Sequence, residues 1–117
     1  MNDRLRDMLM KFPVAVATVN ADGTPHIAVV AYVKVLDGGG LVITCNYLKR
    51  TVGNIKANPR VALVVWDNDW HGVRIFGEAA YHEDGKYVEM VKQMPENSDE
   101  PADGALVVAV EKIEEIG

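Results

Sequence analysis

Residues 2–12 place Leu5, Met8, Leu9 and Phe12 at helical spacing with charged residues between them, and Pro13 breaks that pattern. From there the period changes to that of strands. Val14–Val19 reads as a strand, and Asn20–Pro25 as a hairpin turn in which Gly23 supplies the positive φ that tight turns need. His26–Leu36 is a longer strand whose odd positions, Ile27, Val29, Ala31, Val33 and Val35, are all apolar. Its even positions begin apolar at Ala28 and Val30 and become polar or amphipathic at Tyr32 and Lys34. The first half of this strand therefore needs cover on both faces. One closed core covers one face, so the pattern predicts a ligand or a second subunit on the other.

Asp37–Gly40 is a turn into a short apolar strand, 41–45. A short amphipathic helix over 51–58 follows, stopped by Asn58-Pro59. A strand over 60–66, the loop Asp67-Asn68-Asp69 and a further strand over about 70–82 come next, with Gly77 marking a bulge or a close backbone approach. Asp84-Gly85 opens a helix that carries Tyr87, Val88, Val91 and Met94 on one face. Glu96–Gly104 is acidic, rich in turn formers and expected to be a loop, and Ala105–Val110 is the last strand, followed by a polar, alternating tail. Six short strands with tight connections and three short helices predict a mostly antiparallel barrel, because closure removes exposed sheet edges.

Composition bounds the picture without changing it. The 117 residues, 49% hydrophobic and 25% charged, suit one soluble globular domain over 1–117. Such a domain holds a real core but is small for enclosing a cofactor alone. A net charge of −5 argues against nonspecific nucleic-acid binding, which needs a basic surface. A single cysteine excludes an intrachain disulfide framework, and with no apolar leader at the N-terminus the expected location is the cytoplasm. No window approaches the ~20 apolar residues of a membrane helix.

The candidate chemistry lies at Lys49-Arg50-Thr51, where a strand hands over to a helix. Two cations, a hydroxyl, free backbone N–H groups and the positive end of a helix dipole favour a phosphate there. Cys45, at the end of an apolar strand, is a buried small hydrophobe on this reading. His26, His71 and His82 share no metal-ligand spacing, and Asp67-Asn68-Asp69 lacks the Gly and distal Glu of a calcium loop, so no metal site is expected. Gly38-Gly39-Gly40 is not followed by the Lys-Ser/Thr of a nucleotide loop. Trp66, Trp70 and Tyr32 are suited to stacking on a flat ring or to ordinary core and interface packing. No Ser/His/Asp or paired-carboxylate constellation supports hydrolysis.

Several segments together resemble the pyridoxamine 5′-phosphate oxidase-like FMN-binding split barrel, nearest to its small FMN-binding proteins and flavin reductases. They are Asp22-Gly23-Thr24-Pro25-His26, Lys34-Val35-Leu36-Asp37-Gly38, Gly77-Glu78-Ala79-Ala80-Tyr81 and Ala105–Val110. The most specific is the series Lys49-Arg50-Thr51, Asn54-Ile55, Asn58-Pro59-Arg60-Val61-Ala62-Leu63. The resemblance implies a homodimer with FMN in a groove at the subunit interface. It implies that Arg50 and Thr51 hold the phosphate with Lys49 as a weaker contributor. Cys45, Asn46 and Tyr47 would border the isoalloxazine, mostly through backbone, and Val29, Val30 and Ala31 would form the opposite wall. Two departures stand out. The C-terminal Arg and Trp segment that binds substrate in the vitamin B6 oxidases is missing before Gly117, so that activity is not expected. Many relatives carry Lys where Thr51 falls, which leaves Arg50 to supply most of the charge.

The implied function is electron transfer or flavin-dependent reduction, with NAD(P)H or a redox protein as electron donor. The alternatives are a deazaflavin-dependent reductase and a noncatalytic flavin or haem carrier or sensor. No residue stands out as a proton donor at the ring.

Overall fold

Asn2 accepts the Leu5 amide N–H at 2.8 Å and caps helix α1 (Asp3–Lys11), whose apolar stripe buries Leu5, Met8 and Leu9. A computed structural model describes residues 1–31, 33–46, 48–94 and 103–116. After α1 come strands β1 (Val14–Val19), β2 (Pro25–Val30), β3 (Val33–Val35) and β4 (Leu41–Cys45), then helix α2 (Lys49–Ala57). Strands β5 (Arg60–Trp66) and β6 (Gly72–His82), helix α3 (Lys86–Lys92) and strand β7 (Gly104–Ile116) follow among the described residues. No helix among the described residues is long and apolar enough to cross a membrane.

All seven strands form one antiparallel sheet in the order β2-β1-β5-β6-β7-β4-β3. Its two edges, β2 and β3, are consecutive in the chain and separated only by residues 31 and 32. A sheet whose borders are tied by so short a link must curl until they approach each other. The result is the expected split barrel, with a seam that the chain crosses.

The seam explains why the sheet has seven strands rather than six. The expected strand over 26–36 is two strands, β2 ending at Val30 and β3 beginning at Val33, because they belong to opposite edges of the sheet. Helix α2 starts at Lys49, two residues earlier than the hydrophobic pattern indicated. The polar tail after Val110 is the second half of β7 and pairs with β6 as far as Gly72 opposite Ile116. Its alternation is that of a half-exposed strand.

The core explains the runs of Val, Ile and Leu. Inward residues of the barrel, among them Val14, Val16, Leu41, Ile43, Leu63, Ile75, Leu106 and Val108, pack with the α1 stripe and with Ile55 of α2. β4 is buried along its whole length because its other face lies under α3, where Val42 and Ala105 meet Val88 and Val91. Gly77 meets both expectations for it. The register between β6 and β7 shifts at Phe76/Gly77, and a Cβ on Gly77 would lie 2.2 Å from the Ala109 carbonyl oxygen.

Candidate functional site at the barrel seam

α2 begins where β4 ends, and no side chain caps its first turn: the N-cap position is Leu48, which has no acceptor to offer. No acidic residue sits in this turn, while Lys49 and Arg50 do. The amide of Val52 donates to the Leu48 carbonyl at 2.9 Å. The N–H groups before it point past the end of the helix, where an anion would find them together with the helix dipole.

Thr51 is 1% exposed, and its Oγ1 has no hydrogen-bond partner among the described residues. Leaving a buried hydroxyl unsatisfied costs about 1–3 kcal/mol. Arg50 is exposed and faces the β1–β2 turn. There the Thr24 hydroxyl and amide, donating to Asp22, hold that carboxyl below the usual carboxylate range, and the nearby Arg50 guanidinium contributes in the same sense. Asn54, one helical turn beyond Arg50, fastens the helix to the same hairpin. Its Nδ2 donates to Thr18 Oγ1 at 3.1 Å and to Asn20 Oδ1 at 3.0 Å.

Asn54 was part of the recognisable sequence series, but its role as the strut between α2 and β1 was not read from it. The available signal was its spacing: at i+4 from Arg50 it must share that residue's face. Lys49 lines a cavity with Val52, Gly53 and Lys56, and the turn of the helix parts it from its neighbour Arg50.

The other candidate residues lie along the seam. Cys45 is 2% exposed, and burial, with a smaller effect from Asp103, pushes its thiol from 9.0 up to about 12. It is a neutral, buried thiol, as expected of a small hydrophobe. Asn46 is half-buried, and Tyr47 lies outside the described residues, as do Tyr32 and residues 96–102 of the expected acidic loop. Val30 points into the core, whereas Val29 and Ala31 are exposed. The β3–β4 ladder starts at Val33 opposite Ile43, and on its other side Cys45 pairs with Gly104 of β7. On the outer face of β2, Ile27 is 65% and Val29 66% exposed, so the second apolar face read from the sequence is bare in the single chain.

Two further expectations concern the β5–β6 hairpin. Asp67 Oδ1 accepts the amides of Asp69 and His71, both at 2.9 Å, so Asp67-Asn68-Asp69 is the expected turn. Trp66 and Trp70 are not core residues. They meet edge to face with centroids 6.0 Å apart, Trp66 lying over Gly72 and Trp70 80% exposed.

A curled antiparallel barrel with a cationic helix start beside its seam defines a split-barrel protein. The family model described as pyridoxamine 5′-phosphate oxidase matches residues 1–117, and the chain belongs to that family. An uncharacterized protein of Methanocaldococcus jannaschii is 31% identical over 104 residues, which cover 86% of this chain and 70% of the relative. Among solved structures, HupZ of Group A Streptococcus superposes with a TM-score of 0.90 at 23% identity, over 99% of this chain and 94% of that one. An F420 reductase superposes with a TM-score of 0.73 at 25% identity, over 93% and 94% of the two chains.

Proposed function

We propose that the chain binds FMN at the seam as a homodimer and serves in electron transfer or as a flavin-dependent reductase. The observation that carries this reading is the buried hydroxyl of Thr51, without a partner among the described residues, in the uncapped first turn of α2, with the exposed Arg50 as the preceding residue. A phosphate oxygen would satisfy the hydroxyl, accept the free N–H groups and take a charge-assisted bond from Arg50. Backbone of residues 29–31 and 45–47 would border the ring system. The exposed Ile27 and Val29 support a second copy of the chain as the outer cover, and two-fold self-complementary association is the commonest way for a bare face to be closed. When bound, FMN supplies the redox chemistry. The residues of this chain anchor its phosphate, fix its plane and limit access of water and oxygen.

The test begins with the visible spectrum of the purified protein and titration of the stripped protein with FMN and riboflavin. FMN should be preferred by at least ~10-fold, the equivalent of one charge-assisted hydrogen bond. Equal affinity would show that the first turn of α2 does not hold a phosphate. Bleaching by NADH or NADPH supports a reductase, and indifference to both supports a carrier fed by a protein. A monomer mass by light scattering in the FMN-loaded state would overturn the dimer.

The likeness to an F420 reductase favours one second reading, a deazaflavin-dependent reductase. A deazaflavin spectrum in place of the flavin bands would select it.

A further inference from the structure

On the side of α2 away from Arg50, Lys49, Val52, Gly53 and Lys56 form one wall of a cavity of about 420 Å³. Cys45 and Leu48 line its base, and Tyr81, Glu83 and Asp103 face the helix across it. This volume falls within the range of small-molecule sites, about 300–1,000 Å³.

The charges around the cavity are unevenly matched. Lys56 is committed, with its Nζ 4.0 Å from Glu83 and 5.4 Å from the centre of the Tyr81 ring. Lys49 and Asp103 make no ion pair with each other or with another described residue. Asp103 is held by backbone: its amide donates to the Cys45 carbonyl at 3.0 Å, and its carbonyl accepts the Tyr81 hydroxyl at 3.3 Å. Its carboxylate is felt at that side of the cavity. Burial raises both the Cys45 thiol and the Tyr81 phenol, and the negative charge of Asp103 adds to each. The cavity thus offers an uncommitted ammonium, an uncommitted carboxylate and an apolar surface from Leu48, Val52 and Cys45.

Gly53 is the second feature. It sits inside α2, where glycine costs about 0.8–1.0 kcal/mol relative to alanine. Packing does not require it, since nothing lies within 4 Å of the position its Cβ would take. What the missing side chain does is leave the wall of the cavity open.

We propose that this cavity, whose base shares Cys45 with the seam, is a second ligand site for a small dipolar molecule. Lys49 receives an anionic group of the ligand, Asp103 an amine, and Leu48, Val52 and the open face of Gly53 its apolar body. The assignment does not depend on the flavin reading.

The test uses three probes on the full chain, with FMN bound where it binds: 4-(aminomethyl)benzoate, benzoate and benzylamine, titrated by ligand-observed NMR. The dipolar probe should bind about 10-fold more tightly than either singly charged one, as expected for one additional charge-assisted bond. Lys49→Ala should abolish its advantage over benzylamine, and Asp103→Asn its advantage over benzoate. Gly53→Leu should fill the space and eliminate binding, with circular dichroism and FMN affinity unchanged. Equal binding of the three probes, no binding of any, or undiminished binding to a folded Gly53→Leu overturns the proposal. Joint loss of FMN and probe in Gly53→Leu also overturns it, because the cavity would then be part of the flavin site. Should Gly53→Leu not fold, Lys49→Ala decides alone: an unchanged preference of the dipolar probe over benzylamine rejects the assignment. Absence of FMN binding in the parent would defeat the flavin reading and leave these outcomes intact.

Discussion

The two faces of α2 are built on opposite plans. On one, Asn54 holds the helix to the β1–β2 hairpin through two hydrogen bonds, and Arg50 reaches toward the same turn. On the other, Lys49, Val52, Gly53 and Lys56 line a cavity whose far side is Tyr81, Glu83 and Asp103. Lys49 and Arg50 are neighbours in sequence but stand about 100° apart around the helix, as 3.6 residues per turn requires. A pair of adjacent cations is therefore two sites or half a site, depending on what packs against each flank. The fastened flank is rigid enough to orient a phosphate. The open flank is suited to a ligand that supplies its own shape.

The largest effect that would sharpen this contrast is on FMN. Arg50→Ala should weaken FMN binding about 10–100-fold, measured by fluorescence quenching on the stripped protein, and leave the dipolar probe untouched. Lys49→Ala should do the reverse, changing FMN affinity by no more than about 5-fold, since an exposed cation contributes about 0–1 kcal/mol. If both substitutions weaken both ligands equally, the two flanks form one site.

Asn54→Ala removes the strut and should destabilise the fold by about 1–3 kcal/mol, from two hydrogen bonds at about 0.5–1.5 kcal/mol each. Urea unfolding gives the value, and an unchanged midpoint would mean that the hairpin and α2 are held together by other contacts.

Thr51→Val separates function from stability by sign. Removal of an unsatisfied buried hydroxyl should stabilise the FMN-free protein by up to about 1 kcal/mol, while FMN affinity falls by an amount between those of Arg50→Ala and Lys49→Ala. A lower melting temperature without FMN would show that the hydroxyl has a structural role.

The smallest effect concerns Cys45 at the base of the open flank. Its thiol is raised from 9.0 to about 12 in the folded chain, so between those values the folded state keeps a proton that the unfolded state has lost. Stability is full below about pH 9 and declines as pH rises toward 12. Tyr81 is raised too, first by burial and then by the charge of Cys45, and acts in the same direction, so the difference between the parent and Cys45→Ala reports the thiol together with its effect on Tyr81. Identical alkaline profiles for the two would mean that water reaches Cys45.

Periodicity made most of the fold legible, because strands and helices must expose or bury side chains at fixed intervals. The break at 31–32 was not legible, since Ala31 continues the alternation and only the topology of the whole sheet demands an interruption. The polar end of β7 was hidden for a related reason: Glu111–Ile116 is stabilised by pairing with β6, which its own composition does not reveal. At the site, residue types announced an anion, but direction was lost. Nothing local separates Lys49 from Arg50 until Asn54 is seen to bind Thr18 and Asn20, more than thirty residues upstream. Gly53 was equally silent, because a glycine in a helix reads as a weakness until the space beside it is known.

The link between β2 and β3 has a consequence for how such a barrel can change. Adding or deleting a residue within any paired strand slips its register and turns every following side chain to the wrong face. Val30 ends one border of the sheet and Val33 begins the other. Length can vary there without disturbing a single rung of the ladder. The seam is thus an adjustable clasp: lengthening it should loosen the grip on whatever lies between the borders and leave the barrel wall as it was.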